Sequence, residues 1–396
     1  MQTRTVIKTL SELPTAPTTI GTMVWNQTGD WRYLTPLVAD KLAPCAQHCP
    51  AGIPIPRHLG AVTRGDIEGG LALLLAYNPL PGLTGRLCYH PCQTKCVRRR
   101  IDRTISIQEM ERFLGDLATD VTIEKSERTD QRVTIIGSGP LGLSCAFYLG
   151  CQGYRVAVLE PSDQAGGALV GLSPGKIEPT VLSHEINRLI RLADIRLETG
   201  ANIGVAKPGE PPAQADLVIL DPTGLSEEFC APSGAVACDP FAAGSVIGSV
   251  VSVQLPKNLT PFKVPMIAHY IAAGRLLAKK ASDGLRRKGL EQPAMDRSPL
   301  AVSTESIRIE RFPAAEMRDK QKETWDREGA MQEAERCLSC GTCNLCLKCV
   351  SFCPDASIRP EGRNVTVEVD LDHCKGCGIC AYECPRGVIT MEDISV

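Results

Sequence analysis

The sequence predicts an α+β multidomain chain, on three observations. Ten of its nineteen cysteines lie between Cys337 and Cys384 in a doubled motif. Val133 to Glu160 runs strand, glycine loop, helix, strand and acid in that order, and a separate set of cysteines, Cys45 to Cys96, brackets a helix-like apolar run near Gly70 to Tyr77. At 396 residues the chain suits roughly two to four domains, and 43 % hydrophobic with 22 % charged residues permits substantial cores.

Composition excludes several classes of function. A net charge of −2 argues against general nucleic-acid binding. No apolar run reaches the roughly eighteen residues that a membrane span needs. Met1 to Leu13 lacks the basic start and apolar middle of a secretory signal. Nineteen cysteines is an odd number, and C-x2-C clustering without a signal peptide predicts metal ligands in a reducing cytoplasm rather than disulfides.

Residues 1–40, with Trp25, Trp31 and Tyr33 among prolines and threonines, show no periodicity and are expected to form an extended arm packed on something larger. A first cysteine domain spans 41–120. It opens with Cys45-x3-Cys49-Pro50 and continues after the helix-like run with Cys88-x3-Cys92-x3-Cys96. The breakers Asn78-Pro79 and Pro81-Gly82 between them return the chain so that the two groups face each other. Arg98, Arg99 and Arg100 then offer either a positive field for an acidic electron carrier or a solvated turn.

The next domain is placed at 131–282. Val133 to Ile136 is a buried-strand run that enters Gly137-Ser138-Gly139-Pro140-Leu141-Gly142, Leu143 to Leu149 is helical, and Arg155 to Leu159 is a second strand ending at Glu160. This order describes a Rossmann-like βαβ unit, which sets a dinucleotide phosphate on a helix N-terminus and the acid on a ribose. The alternative is a shell of the same fold without cofactor. Cys145, Cys151, Cys230 and Cys238 read as buried structural thiols. Residues 283–336, charged and carrying Pro293, Pro299 and Pro313, are expected to be a linker that turns helical from Asp326 through Glu335.

The last domain, 337–396, contains Cys343, Cys346, Cys349 and Cys353-Pro354, repeated as Cys374, Cys377, Cys380 and Cys384-Pro385. Three thiolates two residues apart wrap one cubane while the fourth points to the other, the pattern of bacterial two-cluster ferredoxins. Cys343, Cys346, Cys349 and Cys384 therefore belong to one [4Fe-4S] cluster, and Cys374, Cys377, Cys380 and Cys353 to the second. Zinc knots, the alternative, use paired C-x2-C hooks instead of a triple hook closed by Cys-Pro.

The N-terminal phrases, Cys45-x3-Cys49-Pro50, Asn78-Pro79-Leu80 to Gly85-Arg86 and Cys88-x3-Cys92-x3-Cys96, resemble the iron-sulfur domain of the glutamate synthase small-subunit family and of dihydropyrimidine dehydrogenase. That resemblance implies an all-helical module with two [4Fe-4S] clusters, one of them held by Cys49, Cys88, Cys92 and a Glu or Gln matched by Glu111. The family's C-x2-C pair is missing ahead of Cys45. Cys337-Leu-Ser-Cys340, after Glu333 to Arg336, resembles it from the far end, so Cys45, Cys96, Cys337 and Cys340 make the other ligand set. The resemblance continues into Gly166-Gly167, and implies FAD as the dinucleotide. Relatives then insert a second Rossmann unit for NADPH, whereas here Phe241 to Gly244-Ser245 resembles the closing phrase directly, with Ser245 where the family has an acid, and Ile267 to Lys279 resembles the last helix. The FAD domain is thus expected to be curtailed, lacking its nicotinamide part.

Together these imply an electron-transfer subunit with four [4Fe-4S] clusters and FAD, relaying electrons between a larger oxidoreductase subunit in a hetero-oligomer and a carrier such as ferredoxin. An NAD(P)H:ferredoxin oxidoreductase and a flavin-free cluster scaffold are the rivals. No catalytic constellation stands out, and His48, His90 and His373 beside cysteines suit packing better than catalysis.

Overall fold

The computed structural model describes residues 27–117, 121–172, 176–201, 215–223, 236–238, 250–253, 267–286, 301–315, 325–361 and 366–394. Cys230, Gly244 and Ser245 lie outside the described residues. The chain divides into two compact units, Asp40–Thr342 and Met1–Ala39 with Cys343–Val396.

The larger unit begins with six helices: α1 (Pro44–Gln47), α2 (Ile55–Thr63), α3 (Ile67–Leu75), α4 (Pro81–Leu87), α5 (Pro91–Thr94) and α6 (Ile107–Asp116). Proline stands in the first turn of α1, α2, α4 and α5, where its missing N–H is no loss and its φ is already helical. Asp66 caps α3, its carboxylate accepting from the Gly69 amide at 2.9 Å. Ile107, Met110 and Leu114 form the buried stripe of α6, and Glu111 stands inside that stripe at 2 % exposure.

Helices α4 and α6 cross so closely that only glycine fits. A Cβ at Gly115 would lie 2.2 Å from the Gly82 amide nitrogen, and one at Gly85 would lie 2.5 Å from the Arg112 nitrogen. Gly115→Ala is therefore expected to force the helices apart, costing about 1–3 kcal/mol by overpacking. Thermal unfolding measures it, and an unchanged midpoint would contradict the close crossing.

A six-stranded sheet follows, built from β1 (Arg132–Ile136), β2 (Arg155–Glu160), β3 (Arg196–Thr199), β4 (Leu217–Leu220), β5 (Val236–Cys238) and β6 (Val250–Val253). Its order is β3-β2-β1-β4-β6-β5, and every pairing is parallel. β6 pairs directly with β4, so residues 221–249 are all that separate two neighbouring strands. Around the sheet stand α7 (Pro140–Cys151), α8 (Pro179–Ala193) and α9 (Ile267–Arg286). α7 is apolar on all sides and buried along nearly its whole length, as a helix covered on both faces must be. Gly274 lets α9 approach it, since a Cβ there would sit 2.5 Å from the Leu141 carbonyl oxygen. Cys145 is fully buried, as a structural thiol, and Cys151 is half-buried.

The stretch expected to be a linker is packed where it is described. Val302 donates to the Leu42 carbonyl at 3.0 Å, and Val302 and Ile307 share a small core with Ala43, Ala46, Val97 and Leu338. α10 (Arg327–Glu335), capped by Asp326, lies against α2. Apolar side chains at Val302 and Ile307 explain the docking, because a true spacer would leave them in water.

The second unit is an interleaved α+β fold of its own. Strand Ile358–Pro360 pairs antiparallel with Val367–Val369, and short helices span Lys348–Ser351 and Ile379–Glu383. Its other ladder joins distant parts of the sequence: Leu34–Val38 runs antiparallel to Ile389–Asp393, with Leu34 opposite Asp393 and Val38 opposite Ile389. The arm thus supplies a strand. Gly376, at φ +71°, passes so near it that a Cβ would meet the Leu34 carbonyl oxygen at 2.2 Å.

Candidate cluster sites and the glycine loop

In the smaller unit the cysteines of the two motifs are interleaved. Burial, and then the neighbouring thiols of Cys384, Cys346 and Cys343, push the Cys349 thiol up to about 12. Burial, with Cys374, Cys377 and Cys353 nearby, pushes Cys380 up to about 11. Each triple hook therefore has the fourth cysteine of the other motif beside it. Ser357 supports Cys353 by donating its amide to the sulfur at 3.4 Å. His373 is held by Asp370 at 2.9 Å, a packing role.

The helical part of the larger unit gathers two further groups. Cys49, Cys88 and Cys92 sit around Glu111. Burial pushes Cys88 up to about 12 and Cys49 up to about 11, with the Glu111 charge adding to both and the amides of Ile53, Ala51 and Gly52 pulling Cys49 back. Cys92 is raised by burial and then by Cys49, Glu111 and Cys88. Thr84 Oγ1, 2.8 Å away, holds one Glu111 oxygen, and Asn78 in turn donates to Thr84 at 2.7 Å. His90 Nε2 lies 3.4 Å from the same oxygen while its Nδ1 contacts the Cys88 carbonyl at 2.8 Å. His48 Nδ1 is engaged by the Pro44 carbonyl at 2.8 Å. His58, which the sequence did not single out, is fully buried here with neither ring nitrogen bonded, and burial pulls it down to about 4.

The remaining group joins both ends of this unit. Burial raises the Cys45 thiol, followed by the charges of Cys337, Cys96 and Cys340 around it. An ion-pair network delivers the distant pair. Arg98 grips both Asp102 oxygens and donates to the Arg336 carbonyl at 3.1 Å and the Pro313 carbonyl at 3.0 Å. Arg336 reaches Asp102 at 3.0 Å and Glu333 at 2.6 Å, and Glu333 accepts the Ser106 amide at 2.8 Å. Of the three arginines weighed as a carrier-facing patch, Arg98 is therefore turned inward at 4 % exposure, leaving Arg99 and Arg100 at the surface. Losing one member of so buried a set typically costs about 3–5 kcal/mol.

Each set gathers four donors, three or four of them thiols, the number and chemistry that a cubane takes.

The glycine loop has the expected form but its anchors are already engaged. Gly137 adopts φ +98°, Gly139 precedes α7, and Pro140 opens that helix with Gly142 in its first turn. Gly166 and Gly167 follow β2 at positive φ, and the Gly166 amide donates to Ser138 Oγ at 2.8 Å. Glu160, expected to face a ribose, is fully buried. One of its oxygens accepts from the Ser138 amide at 2.8 Å and from the Ser138 hydroxyl, the other from the Ser162 amide at 3.0 Å and hydroxyl at 2.6 Å. Asp221, immediately after β4, accepts from the Gly142 amide at 2.9 Å. As described, the loop does not fit a bound FAD, because the chain's own carboxylates use its donors.

Three stretches of the chain match known family models. Residues 39–123 match dihydropyrimidine dehydrogenase domain II, 4Fe-4S cluster, residues 342–388 a 4Fe-4S dicluster domain, and residues 135–173 an NAD(P)-binding Rossmann-like domain. The beta subunit of an NADPH-Fe(3+) oxidoreductase from Geobacter sulfurreducens is 32 % identical over 152 residues, covering 37 % of this chain and 23 % of the relative. The beta subunit of an NADP(+)-dependent formate dehydrogenase from Moorella thermoacetica is 29 % identical over 193 residues, covering 41 % and 27 %. The small chain of the Bacillus subtilis NADPH glutamate synthase is 36 % identical over 179 residues, covering 43 % and 36 %. The chain thus spans between 23 % and 36 % of the length of these relatives. It resembles the glutamate synthase small subunit and the iron-sulfur part of dihydropyrimidine dehydrogenase over its helical and Rossmann-like regions, and joins them to a dicluster [4Fe-4S] domain.

Proposed function

We propose that the chain is an electron-transfer subunit carrying four [4Fe-4S] clusters, which relays single electrons between a larger oxidoreductase subunit and a separate carrier such as ferredoxin. The observation that carries this reading is the gathering of sixteen candidate donors, fifteen cysteines and Glu111, into four groups of four. Cys343, Cys346, Cys349 and Cys384 hold one cluster, and Cys353, Cys374, Cys377 and Cys380 the next. Cys49, Cys88, Cys92 and Glu111 hold a third, and Cys45, Cys96, Cys337 and Cys340 the fourth. The clusters supply one-electron uptake and release at potentials set by their surroundings. The chain's own part is to hold them. The amides of Ala51, Gly52 and Ile53 stabilise the Cys49 thiolate, that of Ser357 the Cys353 thiolate, and Thr84 orients the Glu111 carboxylate.

Relatives that name a nicotinamide substrate extend well beyond the stretch they share with this chain, and no second glycine fingerprint occurs here. Direct hydride chemistry is accordingly left to a partner. FAD is the group that the resemblance implies for the Rossmann-like domain, but the relay proposed here runs through the clusters. Among the described residues no helix is long and apolar enough to cross a membrane.

Anaerobically reconstituted full-length chain should contain about sixteen irons and as many sulfides, four cubanes' worth. Dithionite should bleach its visible absorbance, while NADH or NADPH alone should leave it unchanged. A count of about eight irons would remove the two helical-domain sites. Rapid bleaching by either nucleotide would make the chain a complete dehydrogenase.

A further inference from the structure

The geometry points to Asp221 as a built-in anion that occupies the phosphate seat of the glycine loop, so that this Rossmann-like domain is closed to dinucleotides in its native state. In folds of this kind the first turn of the helix after β1 offers unpaired amides and the positive end of its dipole, and a pyrophosphate completes them. Here a carboxylate does so. Asp221 leaves the sheet in register, its amide donating to the Ile136 carbonyl at 2.8 Å, and its side chain turns onto the start of α7. One oxygen accepts from the Gly142 amide at 2.9 Å, with the Gly139 amide also directed at the group. The other accepts from the Thr223 amide at 2.9 Å and hydroxyl at 2.6 Å.

The fit is close. A Cβ at Gly139 would meet Thr223 Oγ1 at 2.0 Å and Asp221 Oδ2 at 2.7 Å, and one at Gly142 would meet Asp221 Oδ2 at 2.7 Å. The glycines that elsewhere admit a phosphate here admit the Asp221–Thr223 turn. Asp221 is fully buried, and burial pushes its carboxyl up to about 6 despite its donors. A dinucleotide phosphate entering beside it would meet a second negative charge at low dielectric, and the Gly139 and Gly142 amides are taken. Glu160 closes the other anchor, since Ser138 and Ser162 fill both of its oxygens. The domain keeps its fold by supplying its own substitutes for ligand contacts, independently of how the clusters are used.

The test uses the full-length, iron-loaded chain. FAD released by acid after incubation with excess FAD and desalting should amount to less than about one-tenth per chain, and inorganic pyrophosphate should not raise the unfolding temperature. Asp221→Ala should melt earlier because its amides are stranded. Pyrophosphate should restore it, binding at least about tenfold more tightly than to the parent chain. Asp221→Asn, which keeps the shape and loses the charge, serves in the same titration if the alanine variant does not fold. Near-stoichiometric FAD in the parent chain would overturn the proposal. So would pyrophosphate acting equally on parent and variant, or on neither.

Discussion

Replacing Cys337 and Cys340 together by serine is expected to remove about four irons, one cubane, and to leave the dicluster signals unchanged. The two cysteines stand beside Cys45 and Cys96, although some 240 residues separate Cys96 from Cys337. The loss should be clean because the docking of this segment does not depend on the metal alone. Arg98, Asp102, Arg336 and Glu333 hold α10 against the start of α6 by buried ion pairs, and Val302 and Ile307 anchor the preceding stretch. Far-UV circular dichroism should therefore be retained while iron falls. Electron paramagnetic resonance of the reduced variant should lose one spin system. Unchanged iron would show that the pair is not a ligand set, and a stoichiometric zinc in its place would favour the mononuclear alternative.

Removing residues 1–39 is expected to cost about eight irons, those of both dicluster sites. The deletion spares every cysteine. Its effect would come through the sheet, because Leu34–Val38 is the antiparallel partner of Ile389–Asp393, and Val38 packs on the core that contains Cys349, Ile358 and Cys380. Without it the last strand becomes an open edge, and a domain of fewer than sixty residues has little other core to draw on. Thr28 and Gly29 would be lost with it, including the Gly29 amide's bond to the Asp372 carbonyl at 2.9 Å beside the second triple hook. Full iron content in the deleted chain would show that the strand is dispensable.

The cysteine spacing suggested the two C-terminal groups because ligand chemistry acts over a few residues and leaves a fixed period, whereas the two helical groups rested on the resemblance. The βαβ order from Val133 to Glu160 was equally plain, since hydrophobic period, glycine placement and helix start all agreed there. Apart from the Cys45, Cys96, Cys337 and Cys340 set, what escaped the sequence were contacts between distant segments. Nothing local in Leu34 to Val38 shows that its partner is at Ile389, and a proline at Pro36 even argues for a loop, although it is tolerated on an edge strand. The charged stretch before Arg336 looked like a spacer because its few apolar residues, Val302 and Ile307 among them, have no period. Glu111, named from the sequence only through the resemblance, could also be read from its place between Met110 and Leu114 on a buried helical stripe, where an unpaired carboxylate is costly. Asp221 was missed for want of such a pattern. An acid directly after an apolar strand usually opens a solvated turn, and only the fold reveals the amides it faces.

The pairing of Leu34–Val38 with Ile389–Asp393 also bears on how the protein is made. At about 5–20 residues per second, the first strand leaves the ribosome roughly 20 to 70 seconds before its partner, with about 350 residues of synthesis between them. Over that interval the first strand's backbone donors and acceptors have no ladder to join, and Cys45 behind it still lacks Cys337 and Cys340. The dicluster domain can be completed only once translation is nearly over, so its iron must arrive after the larger unit has had time to fold. Assembly of this chain thus proceeds from the middle outward, and the segment first synthesised is among the last to find its place.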